Sequence, residues 1–365
     1  MTRSLIMAHA AVGSWFGAQA ELNLEGFTLR RGELNPGIYG EGYYDRRHPH
    51  TLAHDVTLTI SSPAIARSVP RLSLTAGRGF GAFGTDDPMS RPFVKFPANH
   101  HLAQLLERVV VVAAMARPLG AKGMIAAEGS IFNGDDPVGP FAAPQWKRFG
   151  DSWSARVTAT RQTSVTGIIE GQASYAALRS PDIAFGGGLD QRKRSASIRF
   201  ENAAGSWRPY GLLEWASTDV MDRSERAYAL RSALAEVAGR VRGVGVAARL
   251  EITDRPEEER GLDPFRSPRP PHDFLNLGIT RWSIASVRIS RDLARGAVAP
   301  FVEVSSGGAR ALLRGSVFQP ALFYGASRIT TLAAGMRLGL GSSGHGRMGR
   351  YGVAAALDAG PAKVP

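Results

Sequence analysis

Along this chain, stretches of about ten residues alternate apolar with polar positions. Glu21-Leu22-Asn23-Leu24-Glu25, Arg71-Leu72-Ser73-Leu74-Thr75, Ser154-Ala155-Arg156-Val157-Thr158 and Ser195-Ala196-Ser197-Ile198-Arg199 each set small or apolar groups on one face and polar or charged groups on the other. A period of two is the mark of half-buried strands, because successive side chains leave a strand on opposite faces. The apolar face of a soluble sandwich carries large branched and aromatic residues. Here both faces are thin, and Arg and Glu recur on the polar one. The pattern predicts an all-β chain, an antiparallel up-and-down transmembrane β-barrel with lipid outside and water within.

The alternation places strands near 4–13, 17–30, 51–61, 69–78, 108–116, 123–132, 152–161 and 167–177, then near 194–203, 207–217, 226–237, 244–253, 276–290, 297–305 and 328–340. Short connectors fall near 14–16, 62–68, 117–122, 162–166, 204–206, 238–243 and 291–296. Long ones fall near 31–50, 79–107, 133–151, 178–193, 254–275 and 306–327, and the break at 218–225 holds the polar place of another. Outer-membrane barrels pair short periplasmic turns with longer external loops and have an even strand number as a rule. On that scheme the first visible strand runs inward, so an upward strand precedes it in a barrel of about 16. Residues 1–340 form one barrel domain with no internal linker, and 341–365 form a tail or an extra strand ending at Leu357.

Composition narrows the alternatives. No apolar run approaches the roughly 20 residues that a membrane-spanning helix needs. Cys is absent, which excludes disulfide scaffolds and thiolate metal sites. The net charge is +12, and only five of the 44 basic residues are lysine. These arginines are spread through nearly every strand and loop instead of being gathered on one element among aromatics, which argues against nucleic acid as a partner. Facing a water-filled lumen, they favour anionic solutes.

The polar face supplies the candidate pore lining: Arg71, Glu128, Arg156, Arg199, Glu201, Arg249, Arg288, Glu303 and Arg337. Leu22, Leu24, Val56, Leu58, Ile60, Leu72, Leu74, Val157, Ile198, Phe200, Val246, Leu250, Val287, Ile289, Val302, Leu332 and Leu338 take the lipid face by the same phase. Arg and Glu in one lumen are expected to pair into a ladder across neighbouring strands. Trp153, Tyr175, Trp207, Tyr210, Trp215, Trp282, Phe132 and Tyr324 fall near strand ends, where amphipathic rings settle at lipid headgroups.

The loop over 79–107 holds Asp86, Asp87, Arg91 and Lys95, which set a charged constriction if the loop folds inward. Its Leu102–Leu106 stretch reads as a short helix capped by Asn99. His48 and His50, two apart in an extended segment, together with His100 or His101, form a candidate Zn or Cu site at the barrel mouth. No cofactor is otherwise called for. In the region after 132, Asn133-Gly134 is turn chemistry at a strand exit. Asp151 is expected to brace a loop against the wall through Arg156, with Arg192 or Arg194 as a second fork. No nucleophile elbow is present, and no His lies with Ser and a carboxylate on one strand face. A hydrolase is therefore the least favoured reading, and no enzymatic role is expected.

Four blocks carry a resemblance: Asp45-Arg46-Arg47-His48-Pro49-His50, Phe132-Asn133-Gly134-Asp135-Asp136-Pro137, Phe149-Gly150-Asp151-Ser152-Trp153-Ser154-Ala155-Arg156, and Tyr175-Ala176-Ala177-Leu178-Arg179-Ser180-Pro181 followed by Asp190-Gln191-Arg192-Lys193. In order and spacing they resemble a family of uncharacterised bacterial outer-membrane porin-like barrels. The resemblance implies a barrel fold and an outer-membrane location.

The expected function is a porin-like channel for small polar or anionic solutes, embedded in outer-membrane lipid, with a homo-oligomer as one assembly open to it. The alternative is a plugged barrel whose loop histidines form a metal- or ligand-binding mouth. Residues 1–8 show one basic residue and no apolar leader core, so the natural chain is expected to start further upstream. The genomic reading frame before Met1 should stay open and encode a leader and one more strand; sequencing that locus tests this, and a stop codon just upstream refutes it.

Overall fold

A computed structural model describes the chain apart from residues 1–4, 25–26, 28–50, 64–68, 87–90, 94–95, 106, 136, 138–140, 165, 180–188, 203–207, 259–275, 295–296, 313–318, 324, 340–348, 356 and 358–365. Fifteen strands form one sheet in sequence order. The first eight are β1 (Leu5–Val12), β2 (Phe16–Asn23), β3 (Ala53–Ser61), β4 (Arg71–Gly79), β5 (Arg108–Leu119), β6 (Gly123–Phe132), β7 (Ser152–Gln162) and β8 (Gly167–Leu178). The rest are β9 (Asp190–Asn202), β10 (Tyr210–Asp222), β11 (Glu225–Val241), β12 (Val244–Glu258), β13 (Asn276–Arg291), β14 (Val298–Ala311) and β15 (Ile329–Leu338). Each strand pairs antiparallel with its chain neighbours, and no ladder among the described residues joins β1 to β15. Among the described residues, three one-turn helices with both ends defined accompany the sheet: α1 (His100–Ala103), α2 (Pro320–Phe323) and α3 (Gly352–Ala355). None is long and apolar enough to cross a membrane.

All fifteen predicted strands are present, with differences at their long-loop ends. β2 stops at Asn23 instead of continuing to 30. The polar break expected at 218–225 is a two-residue turn, because β10 runs to Asp222 and β11 begins at Glu225. Residues 217–221 stay in the ladder since β9 and β11 both supply partners there, and Asp222 pairs with β11. Asp219 then meets Arg194 at 2.8 Å on the outer side. Strands β9 to β14 span 13 to 17 residues. About 9–11 residues suffice to cross the hydrocarbon, so these strands extend past it, where outward charges meet water. At the other end, Arg242 and Gly243 both have positive φ, 48° and 80°. That is the twist-matched two-residue hairpin for which glycine is suited.

Sidedness follows the period. Of the expected lipid-facing residues, Leu24 and Phe200 are half-buried and the rest, from Leu22 and Val56 to Leu332 and Leu338, are exposed. Arg156, Arg199, Arg249, Arg288, Glu128 and Glu303 on the opposite face are buried. A protein that faced water on both sides would not leave so continuous an apolar band in it. What buries the polar face is the chain itself. The β4–β5 connector hydrogen-bonds to Ser174 of β8, Ser197 of β9, Glu214 of β10 and Glu251 of β12. One loop reaches such distant strands because the sheet curls around it.

The aromatic positions divide. Trp153 and Trp215 are exposed on the outer face, with Tyr175 5.4 Å from Trp153 between ring centres. Phe132 and Trp282 point inward and are fully buried, because even-numbered residues of β6 and β13 share the inner face with Glu128 and Arg288. Trp207 and Tyr324 lie outside the described residues. A charge placed on the lipid face is the sharpest test of this sidedness. Leu250→Arg should lower barrel stability by about 2–4 kcal/mol in denaturant titrations in lipid, whereas Leu250→Val should change it little.

Candidate functional site

The interior is the site, and its geometry is set by the inward connector between β4 and β5. Glu214 on β10 is the anchor. Its carboxylate accepts from Arg91 Nη2 at 2.7 Å, Thr85 Oγ1 at 2.9 Å and Asn99 Nδ2 at 3.1 Å. Ser197 Oγ lies 2.7 Å from the same Thr85 hydroxyl. Arg91 has a second carboxylate, Asp86, at 3.1 Å. Burial works to lower the Arg91 pKa, but the carboxylates of Glu214 and Asp86 outweigh it and hold the guanidinium well above the ordinary arginine value. Asp86 also meets Arg199 of β9, which in turn reaches Glu201.

Further along the loop, Phe93 lies over the Arg249 guanidinium at 4.2 Å. Arg249 is held by Glu236 of the neighbouring strand at 2.6 Å. The Ala98 N–H donates to Glu251 at 2.6 Å, and Arg288 donates to the Pro92 carbonyl. On the other wall Arg156 forks onto Glu128, its register partner, at 2.7 and 2.8 Å. Arg156 also donates to the Gly84 carbonyl at 3.2 Å.

Of the predicted lining residues, Arg156, Arg199, Arg249, Arg288, Glu128 and Glu303 are buried in this interior. Glu201 is half-buried, and Arg71 stands half-buried at the end of β4 opposite to where the loop leaves. Arg337 is exposed, since β15 pairs only with β14 and stands at a sheet edge. Asp86 and Arg91 of the predicted constriction come together with Glu214, whereas Asp87 and Lys95 lie outside the described residues.

Other expectations change. Helix α1 begins at His100, and Asn99 precedes it without a side-chain capping bond because its amide is committed to Glu214. Asp151 does not meet Arg156. It pairs with Arg148 at 2.7 Å and accepts from the Gly134 N–H at 2.8 Å. Arg156 is drawn instead to the carboxylate directly across the ladder. Gly134 is needed for close approach, since a Cβ there would stand 2.2 Å from the Arg179 carbonyl oxygen. Arg194 braces Asp219 on the outer face. His100 is buried with Nδ1 3.1 Å from the Pro97 carbonyl oxygen. His48 and His50 lie outside the described residues, and His101 belongs to α1. Among the described residues, no group of three or more His, Asp and Glu is arranged to hold a metal ion.

The 341–365 segment becomes neither an outlying extension nor a further strand in its described part. Gly349 to Leu357 turns back inside the sheet. Arg350 meets Glu170 of β8 at 2.7 Å, and Tyr351 donates to Asp55 of β3 at 2.9 Å. Burial pushes the Tyr351 phenol well above the ordinary tyrosine value, and the Asp55 charge adds to the rise. Glu214, Glu170 and Glu236 could have been found from sequence, for they share the polar phase of β10, β8 and β11; Arg350 and Tyr351 carry no periodic signal.

A recess of about 350 Å³ remains at the short-turn end, beside Pro92. Arg199, Arg208, Arg240, Arg288 and Arg337 line it together with one carboxylate, Glu201.

No family model and no curated protein matches the chain. Among solved structures, OmpT, an outer membrane protein of Vibrio cholerae, aligns over 92% of this chain and 88% of its own at 10% identity, with a TM-score of 0.50. A loop-deletion mutant of the same protein aligns over 92% and 89% at 10% identity and a TM-score of 0.50. A porin aligns over 91% and 90% at 12% identity, with a looser TM-score of 0.40. The fold is that of the outer-membrane β-barrels. At such identities the likeness extends to fold alone, and the chemistry has to be read from the interior of this barrel.

Removing the anchor should release the loop. Glu214→Ala leaves Arg91 buried with one carboxylate fewer and should cost about 3–5 kcal/mol. The barrel should lose its heat-resistant gel mobility at a lower temperature, and the 79–107 loop should become open to limited proteolysis.

Proposed function

We propose that this chain is an outer-membrane, porin-like channel for small anionic or polar solutes, akin to the uncharacterised barrels that its sequence blocks resemble. The observation that supports this most is the charge distribution of the interior. Carboxylates and guanidiniums neutralise one another across the loop and its walls, in Arg91 with Glu214, Arg156 with Glu128, and Arg249 with Glu236. The recess that is left has five arginines against one carboxylate in its lining. Arg240 there is partnered by Asp292 at 2.9 Å, and Arg288 faces Glu303 across the ladder. The remaining positive field, focused between low-dielectric walls, raises the local concentration of anions.

A second reading has an observation of its own. Loop and tail fill much of the interior, which favours a plugged barrel acting at its mouth, where the loop histidines are the candidate metal or ligand groups.

Zero-current potentials in a planar bilayer across a KCl gradient separate these readings. The channel reading expects stable conductance steps with anion preference. Arg208→Glu with Arg337→Glu, both at exposed positions, should cut the anion-to-cation permeability ratio several-fold. Cation preference in the natural protein would overturn the anion assignment, and a folded, silent barrel would favour the plugged reading.

A further inference from the structure

The wall beneath the C-terminal segment differs from the rest of the interior. Where β7 to β13 mix inward Ser, Thr, Arg and Glu with Leu212, Leu230, Leu234 and Trp282, the inner face of β5 and the adjoining end of β6 carry an unbroken apolar run, Val110, Val112, Ala114, Ala116, Met124 and Ala126, all buried. A water-filled barrel gains nothing from an apolar inner wall, because wetting it costs roughly 25 cal/mol per Å². Val353, Ala354 and Leu357 cover its lower part and bury with Ala114, Ala116, Met124 and Ala126. Tyr351 shares the cover of the upper part with Ala82, Phe83 and Leu105 of the β4–β5 loop, in one cluster with Val110, Val112 and Phe132.

Polar latches fix the same segment at its innermost point. Gly349 accepts from Arg156 at 2.8 Å, and Arg350 donates to Glu170 at 2.7 Å and to the Thr85 carbonyl at 3.2 Å. Tyr351 accepts from the Phe80 N–H at 2.8 Å while donating to Asp55, and the Val353 N–H donates to Ser73 Oγ at 3.0 Å. Both surfaces are cut to fit. A Cβ on Gly79 would stand 2.3 Å from the Tyr351 hydroxyl, and one on Gly352, at φ +53°, would stand 2.2 Å from Ser73 Oγ. β15 ends at the short-turn mouth, where Leu338 pairs with Val298.

We infer that Gly349–Leu357 is a resident plug that closes the β3–β8 side of the lumen and opens a second, wider path when it withdraws through the short-turn mouth. The inference rests on the channel reading above. Its own side-chain latches are Arg350 and Tyr351, the Gly349 carbonyl and Val353 N–H add backbone ones, and its apolar seat keeps it in place between openings. The loop anchored at Glu214 touches the plug at Phe80 and Thr85, but its contacts to β9, β10, β11 and β12 hold it in place without the plug.

Two measurements test it. In planar bilayers, the chain ending at Met348 should show conductance several-fold above that of the full chain. Equal conductance from a heat-modifiable barrel would overturn the plug while leaving the channel reading intact. Silence of both forms would instead count against the channel reading. The second measurement needs no deletion. The chain has no cysteine, so Ala114→Cys, at a wall position that makes no latch, gives a unique thiol beneath the plug. It should resist a membrane-impermeant maleimide in the full chain and react at least tenfold faster when Arg350→Ala and Tyr351→Phe are added. Equal labelling rates would overturn the inference whatever the conductance shows.

Discussion

A sheet with hydrocarbon on one face has to send every charge to the other, and inside a curled sheet each of those charges must then find an opposite one. The buried Glu214–Arg91 contact is where that requirement is met most fully. It joins a strand to a loop that begins more than a hundred residues earlier, and Asp86, Thr85 and Asn99 gather around the same pair. Buried ion pairs contribute little net stability compared with apolar packing, but leaving one partner alone is strongly unfavourable. The pairs therefore act as registration points. The loop fits one position in the lumen because any other would strand a charge.

The outer face is simpler. Its apolar band is continuous from β3 to β15, and the outward charges lie toward strand ends, as with Asp219 and Arg194 at the long-loop end and Arg117 and Arg161 at the short-turn end. The contrast between an uncharged outside and a paired inside gives the fold its strength without a conventional core. The apolar clusters inside the sheet are local, each lying under the loop or the tail instead of running through the molecule.

The strands and their sidedness are legible in the sequence because a bilayer imposes one chemistry on each face, and Leu250 beside Arg249 states it in two residues. Asp86 and Arg91 stand out as inward loop charges for the same reason. Their partner does not. Glu214 is opposite Arg91 only through the curl of the whole sheet, which no local pattern encodes. The β10–β11 turn escapes a sequence reading because polar residues beyond the membrane alternate as loops do. The seated tail escapes it because a short stretch built around Gly349, Gly352 and Ala354 has no period. One signal is available: Val109 to Ala116 is apolar on both phases, which a water-filled barrel does not require, and it points to something apolar lying against the inner wall.

That wall has a consequence in time. β5 and β6 are largely apolar on both faces, and the segment that covers their inner side lies far downstream in the sequence; the Phe80–Tyr351 bond closes a separation of 271 residues. Contacts so distant along the chain form late. Through most of its assembly this barrel carries a strand pair with an uncovered greasy seam, and its interior is finished only after the strands between have been laid down. The closing piece doubles as a signal that the cylinder behind it has formed, since only a completed curl brings Asp55, Glu170 and Arg156 close enough together to receive it.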